Sequence, residues 1–186
     1  MNSYVTHPDY RAILAAVIDD PADDLPRLVL ADFLDERDDK PAAARAELIR
    51  LQCEWSAAST RRDGTYHCAN CKQGMSWATG PTPRCRGRWC RLLRRERDLL
   101  ARHRTDWDDD VLACLFADGR RVVRTPASQG LFSCYGVGAD FSFWQGSLHY
   151  SRGFVSRLTL PAAAFARYGA TLMGAAPVER VTLSDR

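Results

Sequence analysis

Four of the seven cysteines in this chain form two close pairs, and this spacing limits the possible folds more than any other feature. Cys68 and Cys71 make a C-x-x-C pair, and Cys85 and Cys90 make a C-x-x-x-x-C pair further along. Two thiolates from one tight turn can face a common ion, and a second pair completes a tetrahedron. The spacing predicts a structural Zn²⁺ bound by these four residues in a zinc ribbon or treble-clef-like finger. Four thiolates leave no open coordination position, so the metal would support folding.

Two other interpretations of these cysteines stay open, namely disulfides or free thiols, and an iron–sulfur or redox site. The beginning of the chain lacks a signal peptide, and no window is apolar enough to span a membrane, so we expect a cytoplasmic protein. Paired cysteines in a reducing compartment are more often metal ligands than disulfides. His67 adjoins the first ligand and could replace a cysteine. We expect Cys53, Cys114 and Cys134, which lack close partners, to be small core residues.

The charge of the chain is divided unevenly, although its net value is only +3. Residues 1–50 hold 6 basic and 11 acidic side chains, residues 51–105 hold 12 and 4, and residues 106–186 hold 8 and 8. Separate surfaces with separate partners, or an acidic part that neutralises a basic one, would explain this division.

A row of arginines begins inside the cysteine segment and continues into a predicted amphipathic helix. The apolar face of this helix is predicted to hold Leu92, Glu96, Leu99, Leu100 and His103. With two nearby tryptophans it is typical of a surface that binds phosphates and stacks on bases. The alternative is a solvated helix face with salt bridges to the acidic first block, or a surface for a protein partner. The candidate binding residues are Arg84, Arg86, Arg88, Arg91, Arg94, Arg95, Arg97, Arg102, Trp77 and Trp89. Lys72 and several of these arginines would also offset the negative charge of four thiolates.

Three short helices are predicted before the cysteines. Thr6 should cap the first helix, with Pro8 in its first turn, and helical spacing continues near Asp24 and again from Pro41. Short links between such helices favour a small antiparallel bundle. The expected buried residues are Ile13, Leu14, Val17 and Ile18, then Leu28, Leu30, Ala31 and Leu34, and finally Ala44, Leu48, Ile49 and Leu51.

The segment "ILAAVIDDPADDLPRLVLADFLDERDDKPAAARAELIRLQ" resembles the bacterial repeat-companion domain family, a short helical module, over about residues 9–52. The matching positions are Asp24, Arg27, Leu28, Val29, Ala31, Asp32, Leu34, Glu36, Glu47, Ile49, Arg50, Leu51 and Gln52. The resemblance implies a module that precedes leucine-rich-type repeats and carries no catalytic activity. For Arg27, Asp32 and Glu36 we expect a charge network between helices.

The last part of the chain is predicted to be strand, helix and strand. "GFVSRLTL" and "PVERVTLSD" alternate as strands, and the helix between them begins at Pro161 and ends at Gly174. This order favours parallel strands joined by a crossover helix. It also resembles the segment by which repeat-companion proteins enter their repeats, so we expect one leucine-rich-repeat-like unit that is capped by the chain's own helices or by a partner.

The sequence therefore predicts an α+β protein with four parts. They are a helical repeat-companion domain at 1–52, a zinc-finger insertion at 53–91, an arginine-rich amphipathic helix at 92–110, and a β-rich segment at 111–186 that ends in the strand-helix-strand cap. No nucleophile motif or phosphate-binding loop is evident, and a pair of Cys134 and His149 lacks a third group to orient it. We expect a non-catalytic zinc-binding protein that binds a protein partner, and the alternative is a nucleic-acid-binding accessory factor.

Overall fold

The structure, a computed structural model, describes residues 3–37, 39–58, 66–68, 70–71, 74–75, 84–117, 119–124, 131–135 and 143–184. These residues form a mixed α+β fold with a short 3₁₀ helix at Ser3–Thr6, followed by six α-helices and seven strands. The helices are α1 (Pro8–Asp19), α2 (Leu25–Asp35), α3 (Lys40–Ala58), α4 (Arg88–Val111), α5 (Ala113–Ala117) and α6 (Ala162–Ala175). The strands are β1 (Tyr66–His67), β2 (Gly74–Met75), β3 (Arg121–Arg124), β4 (Leu131–Tyr135), β5 (Phe143–Ser151), β6 (Phe154–Pro161) and β7 (Arg180–Ser184).

Helix α1 begins at Pro8, as predicted, but its cap differs from the prediction. The imidazole Nδ1 of His7 accepts a hydrogen bond from the backbone N–H of Asp9, at 3.3 Å. The hydroxyl of Thr6 instead donates to the carbonyl oxygen of Ser3, at 3.1 Å. The prediction of Thr6 as the cap is therefore wrong, because its hydroxyl stabilises the preceding 3₁₀ turn.

Helix α3 buries Leu48 and Ile49 fully, as predicted, but Ala44 and Leu51 only partly. Helix α2 buries one face, as its spacing predicts, with one exception. Leu30, Ala31 and Leu34 are fully buried, whereas Leu28 is 37% exposed. The buried face of α2 is completed by Arg27, which precedes Leu30 by three residues and places its guanidinium over the ring of Phe154. The prediction of Leu28 as a core residue is wrong, since Arg27 takes the core position in that turn.

The larger sheet has five strands in the order β3-β4-β5-β6-β7. Neighbouring strands from β3 to β6 are antiparallel, and β7 pairs with β6 in parallel. Helix α6 begins directly after Pro161 at the end of β6, and it joins the two parallel strands. The predicted strand-helix-strand order and its parallel pairing are thus present.

One hydrophobic core lies between this sheet and the helices α4, α5 and α6. Leu148 of β5 and Leu158 of β6 are directly paired, and both are buried against Tyr168 and Leu172 of α6. A second core joins α1, α2 and α3, and Phe154 at the beginning of β6 is part of it. The first residue of β6 therefore connects the helical bundle to the sheet.

The tight turn between β5 and β6 packs directly against α3. Arg152 and Gly153 occupy the turn with φ of 50° and 85°. The N–H of Gly153 donates to Oε1 of Gln52 at 2.5 Å, and a Cβ at Gly153 would lie 2.8 Å from the Cα of Ile49. The close approach and the positive φ both explain why glycine is needed here.

Arg27 and Arg152 bind the loop between α1 and α2. Both guanidinium groups donate to the carbonyl oxygen of Pro21, at 2.9 and 3.0 Å, and Nε of Arg152 lies 3.4 Å from Oδ1 of Asp24. Arg27 therefore satisfies backbone carbonyls in addition to packing in the core. Asp32 forms an ion pair between helices, as expected, because its Oδ1 lies 2.7 Å from Nη2 of Arg50 on α3.

Helix α4 runs antiparallel to α3 and is longer than the sequence predicts, because it begins at Arg88, inside the predicted finger segment. Two of the residues predicted for its buried face, Glu96 and Leu99, are buried. The core position in the first turns belongs to Leu93, whereas the predicted Leu92 is only partly buried. Starting the helix one turn earlier brings Cys90 into it.

Candidate metal centre and arginine surface

The first cysteine pair lies on a turn between two short antiparallel strands. Tyr66 pairs with Met75 and His67 with Gly74, and Cys68 directly follows β1. Cys71 lies in the turn that β1 and β2 enclose. A tight hairpin of this kind holds two side chains of a C-x-x-C pair close together, as the sequence predicts.

The second pair is held by the entry into α4. Cys85 precedes the helix, and Cys90 is the third residue of its first turn. The N–H of Gly87 points at Sγ of Cys85, at 3.4 Å. A Cβ on Gly87 would lie 2.5 Å from Sγ of Cys68, so only glycine permits the two pairs to approach each other this closely.

The four sulfur atoms converge on one point. Sγ of Cys68 lies 3.5 Å from Sγ of Cys85, and Sγ of Cys71 lies 3.8 Å from Sγ of Cys90. All four lie within 4.8 Å of one another. These separations are well above the 2.05 Å of an S–S bond, and none of the four is in a disulfide. The cluster could hold a metal ion.

Burial and hydrogen bonding act on the cysteines in opposite directions. Backbone N–H groups of Cys71 and Asn70 lower the pKa of Cys68 below its usual value. Burial, together with the neighbouring sulfur atoms, raises the pKa of Cys90 to about 12. Four thiolates this close to one another repel strongly, so a cation at their centre is needed if all are to be ionised.

An apolar cluster covers one side of the four cysteines. Leu93 is buried beside them, and Trp55 near the end of α3 and Trp89 pack against the same group. The two indole rings lie 5.4 Å apart in an edge-to-face arrangement. The cysteine site is therefore attached to the junction of α3 and α4.

Two of the predicted binding arginines are paired with glutamates of α3. Arg95 donates through Nε and Nη2 to the two carboxylate oxygens of Glu47, at 2.5 and 2.6 Å. Arg88 donates to Oε1 of Glu54, with Nε at 2.9 Å. Each pair is separated from the other by seven residues on both helices, which is two helical turns. The Arg95–Glu47 pair matches the alternative of salt bridges to the acidic first block at residues 1–50, whereas Glu54 lies outside that block.

A third arginine of the row, Arg94, faces the cysteine segment. Its Nη2 donates to the carbonyl oxygen of Cys85, at 2.6 Å. Trp89 is half-buried against Trp55, and the guanidinium of Arg88 lies 5.5 Å from its ring centroid. Trp89 therefore already contacts both Trp55 and Arg88.

The other predicted arginines lie on the surface. The exposed members are Arg84, Arg86, Arg91, Arg97 and Arg102. Trp77 and Lys72 fall outside the described residues, as does the side chain of His67. Arg104, which ends the row in the sequence, is buried instead and donates through Nη2 to the carbonyl oxygen of Leu148. The structure therefore divides the row into surface, paired and core residues.

The dyad of Cys134 and His149 is excluded by strand pairing. Cys134 on β4 lies opposite Trp144 on β5, and His149 lies five residues further along that strand. At about 3.3 Å per residue the two positions are about 17 Å apart, too far for a hydrogen bond.

Cys53 is buried, as expected, and burial raises the pKa of its thiol to about 12. The side chains of Cys114 and Cys134 are outside the described ones.

Sequence reasoning missed the positions of Gly87 and Arg94 beside the four cysteines, since Gly87 was not singled out and Arg94 was predicted only as a binding residue. The signal for Gly87 was present in "CRGRWC", because a glycine two residues after a cysteine is typical of a turn in which a backbone N–H faces the sulfur. No such signal existed for Arg94, whose contact depends on how α4 leaves the turn.

None of the helices in the described part of the chain is both long and apolar enough to cross a membrane. Comparison of this chain with protein-family models, with curated proteins and with solved structures gives no match.

Proposed function

We propose that this chain is a non-catalytic, zinc-binding interaction protein of the repeat-companion type that binds a protein partner. The observation that carries the proposal is the convergence of Cys68, Cys71, Cys85 and Cys90 on one point. Four cysteine ligands would complete a tetrahedral shell and leave no position for water or substrate. Such a site supports folding, not chemistry at the metal.

The sulfur separations support zinc. With a Zn–S bond of about 2.3 Å, two ligands of a regular tetrahedron lie about 3.8 Å apart. The distances of 3.5 Å between Cys68 and Cys85 and 3.8 Å between Cys71 and Cys90 agree with this geometry. A single iron in a four-cysteine site would have a similar shape, so metal analysis has to distinguish the two.

The metal would join the β1–β2 turn to α4. The sequence of the turn, YHCANCKQGM, offers few large apolar side chains. The described apolar contacts between the cysteine segment and the helices involve Leu93, Trp55 and Trp89. In a segment of this composition, metal binding would supply much of the folding free energy.

The free edge of β7 supports a protein partner. Within the described residues, β7 pairs with β6 alone, and Leu183 on it is 52% exposed. An edge strand with an exposed large apolar side chain can accept another strand through its backbone groups. This location also agrees with the resemblance to proteins in which the same segment leads into repeats.

The alternative, a nucleic-acid-binding accessory factor, is supported by the exposed arginines beside the cysteines. Arg84, Arg86 and Arg91 lie on the surface next to Cys85 and Cys90. Their number is smaller than the sequence suggests because Arg88, Arg94 and Arg95 contact other parts of the protein. We therefore favour the protein partner.

The metal is tested by elemental analysis of protein purified without added metal. One zinc per chain is expected for the native protein, and a Cys85→Ser/Cys90→Ser variant should contain less than a tenth of that amount. A Cys53→Ser variant is the matched control and should retain its metal. Iron in place of zinc, or no metal in the native protein, would contradict the proposal.

The partner is tested by affinity capture from a bacterial lysate, with the native chain and a Leu183→Asp variant compared in parallel. A protein that the native chain retains at 0.5 M salt, and that the variant loses, would support binding at the β7 edge. Capture that disappears at moderate salt and is sensitive to nuclease would favour the nucleic-acid alternative instead.

A further inference from the structure

The face of the five-stranded sheet opposite α6 carries an ordered set of polar side chains. Leu148, Leu158 and Val181 are paired in one row across β5, β6 and β7, and the first two are buried against α6. Because side chains alternate along a strand, the residues next to them on each strand project from the opposite face.

A row of basic residues crosses this opposite face. His149 on β5 pairs with Arg157 on β6, and Arg157 pairs with Arg180 on β7. All three are exposed. Within the described part of the chain, no carboxylate forms an ion pair with either arginine.

The basic row works against the stability of the sheet. Directly opposed Cβ atoms in neighbouring strands lie about 5 Å apart, and like charges at such positions are destabilising. The pKa of His149 is lowered, first by partial burial, then by Arg104 of α4 and then by Arg157 of the row. Residues that lower the stability of a fold in this way are expected on surfaces that bind another molecule.

A row of hydroxyl groups runs beside the basic row. Ser147 pairs with Thr159, and Thr159 pairs with Thr182. Two residues along a strand separate the rows by about 7 Å. Ser147 is 7% exposed, and its Oγ lies 3.4 Å from Nε2 of His149, so the two rows are in contact.

Guanidinium groups and hydroxyl groups that lie side by side can donate hydrogen bonds to the oxygen atoms of phosphate groups. Guanidinium groups bind phosphate through two parallel hydrogen bonds, and serine and threonine commonly donate to phosphate oxygens. Three strands at about 4.8 Å spacing place the outer residues of the row, His149 and Arg180, about 10 Å apart, which is wider than one phosphate group. The arrangement suits a chain of phosphates better than a single anion.

We propose that this sheet face binds the phosphodiester backbone of single-stranded nucleic acid. The occupant crosses β5, β6 and β7, with phosphates on Arg157 and Arg180 and on the hydroxyls of Thr159 and Thr182. A duplex fits less well, since the described part of this face has no projecting helix or ribbon to enter a groove. The site is separate from the arginines of α4 and does not depend on the protein partner proposed above.

The test is fluorescence anisotropy of the full-length chain with labelled 15-nucleotide oligo(dT) and oligo(U), from 20 to 200 mM salt. An Arg157→Gln/Arg180→Gln variant should bind at least tenfold more weakly at low salt. The slope of log affinity against log salt should fall by about 1.4, since each phosphate contact on a single strand contributes about 0.7. Thr182→Val, which removes one exposed hydroxyl, should weaken binding about threefold.

An Arg91→Gln/Arg102→Gln variant is the matched control, because it removes the same charge from exposed positions of α4. It should bind within about threefold of the native protein. A larger loss in this control than in the Arg157/Arg180 variant would overturn the proposal and move the contact to α4. Absence of binding at 20 mM salt would also overturn it, as would equal displacement by tripolyphosphate at the same phosphate concentration.

The folding of the variants can be checked independently. Removing the like-charge contact between Arg157 and Arg180 should leave the melting temperature unchanged or raise it. If that variant unfolds, Thr182→Val decides the question, because its side chain is exposed on an edge strand. Native-like binding by a folded Thr182→Val variant would then refute the proposal.

Discussion

A buried carboxyl group at the interface of α3 and α4 should make the stability of this protein depend on pH. Glu96 is 4% exposed, and its Oε1 accepts a hydrogen bond from Nε2 of Gln52. Burial raises the pKa of Glu96 from 4.5 to about 7, although the bond from Gln52 and the charge of Arg97 lower it. The folded protein therefore holds a proton that the unfolded chain releases at lower pH.

The sign and size of the effect follow from this difference. Because the pKa is higher in the folded state, the stabilising contribution is complete below pH 4.5 and is lost as the pH rises through 7. A difference of about 2.5 pKa units corresponds to about 3 kcal/mol, at 1.36 kcal/mol per unit. Glu96→Gln keeps the acceptor oxygen for Gln52 and cannot ionise, so it should avoid this loss.

The assay is urea denaturation at several pH values between 4.5 and 8.5, with the difference in unfolding free energy between variant and native protein taken at each pH. That difference should shift in favour of Glu96→Gln by about 3 kcal/mol across the range. Asp98→Asn, at an exposed position of the same helix, is the control and should give a nearly constant difference. Parallel curves for Glu96→Gln and native protein would refute the argument from burial.

Three further predictions concern close packing. Gly87→Ala should reduce the affinity for the proposed zinc at least tenfold, measured by competition with a chromogenic chelator, because its Cβ would lie 2.5 Å from Sγ of Cys68. Gly153→Ala should lower the unfolding free energy by more than about 2 kcal/mol in urea denaturation, since it adds strain at φ 85° to a clash with Ile49. Leu48→Ala should lower it by about 2 to 5 kcal/mol in the same assay, because Leu48 is fully buried between α3 and α4.

Alanine substitutions at two other glycines are the controls, because they show the effect of an added methyl group where it meets no neighbouring atom. Gly174 lies in α6 with nothing within 4 Å of an added Cβ, so Gly174→Ala should leave zinc binding unchanged and stabilise the helix slightly. Gly119 has φ of 73° and no neighbour within 4 Å, so Gly119→Ala should cost only about 1 kcal/mol of backbone strain. Equal losses at Gly119 and Gly153 would contradict the role assigned to Ile49.

The local features of this chain are predictable from its sequence because they depend on short-range periodicity. The helical faces containing Leu30, Leu34 and Leu99 follow from 3.6-residue spacing, and the helix after Pro161 follows from its fixed φ. Each of the two cysteine pairs is also local in origin, since it is held by its own turn, whereas their meeting depends on the close approach of Gly87 to Cys68. Contacts between distant segments are different: the insertion of Gly153 against Ile49 has no signal in either segment alone.

The basic row on the sheet shows why such contacts escape sequence reasoning. His149, Arg157 and Arg180 are far apart in the chain, and only the register of three strands brings them into one row. That register includes an irregularity after His149, where the pairing of β5 and β6 shifts. A slip of one residue would turn Arg157 into the core and Leu158 to the surface, so the buried leucine row fixes the position of the basic row. The hydrophobic core thus determines which charges meet on the opposite face, and the anisotropy experiment on Arg157 and Arg180 tests a consequence of that core.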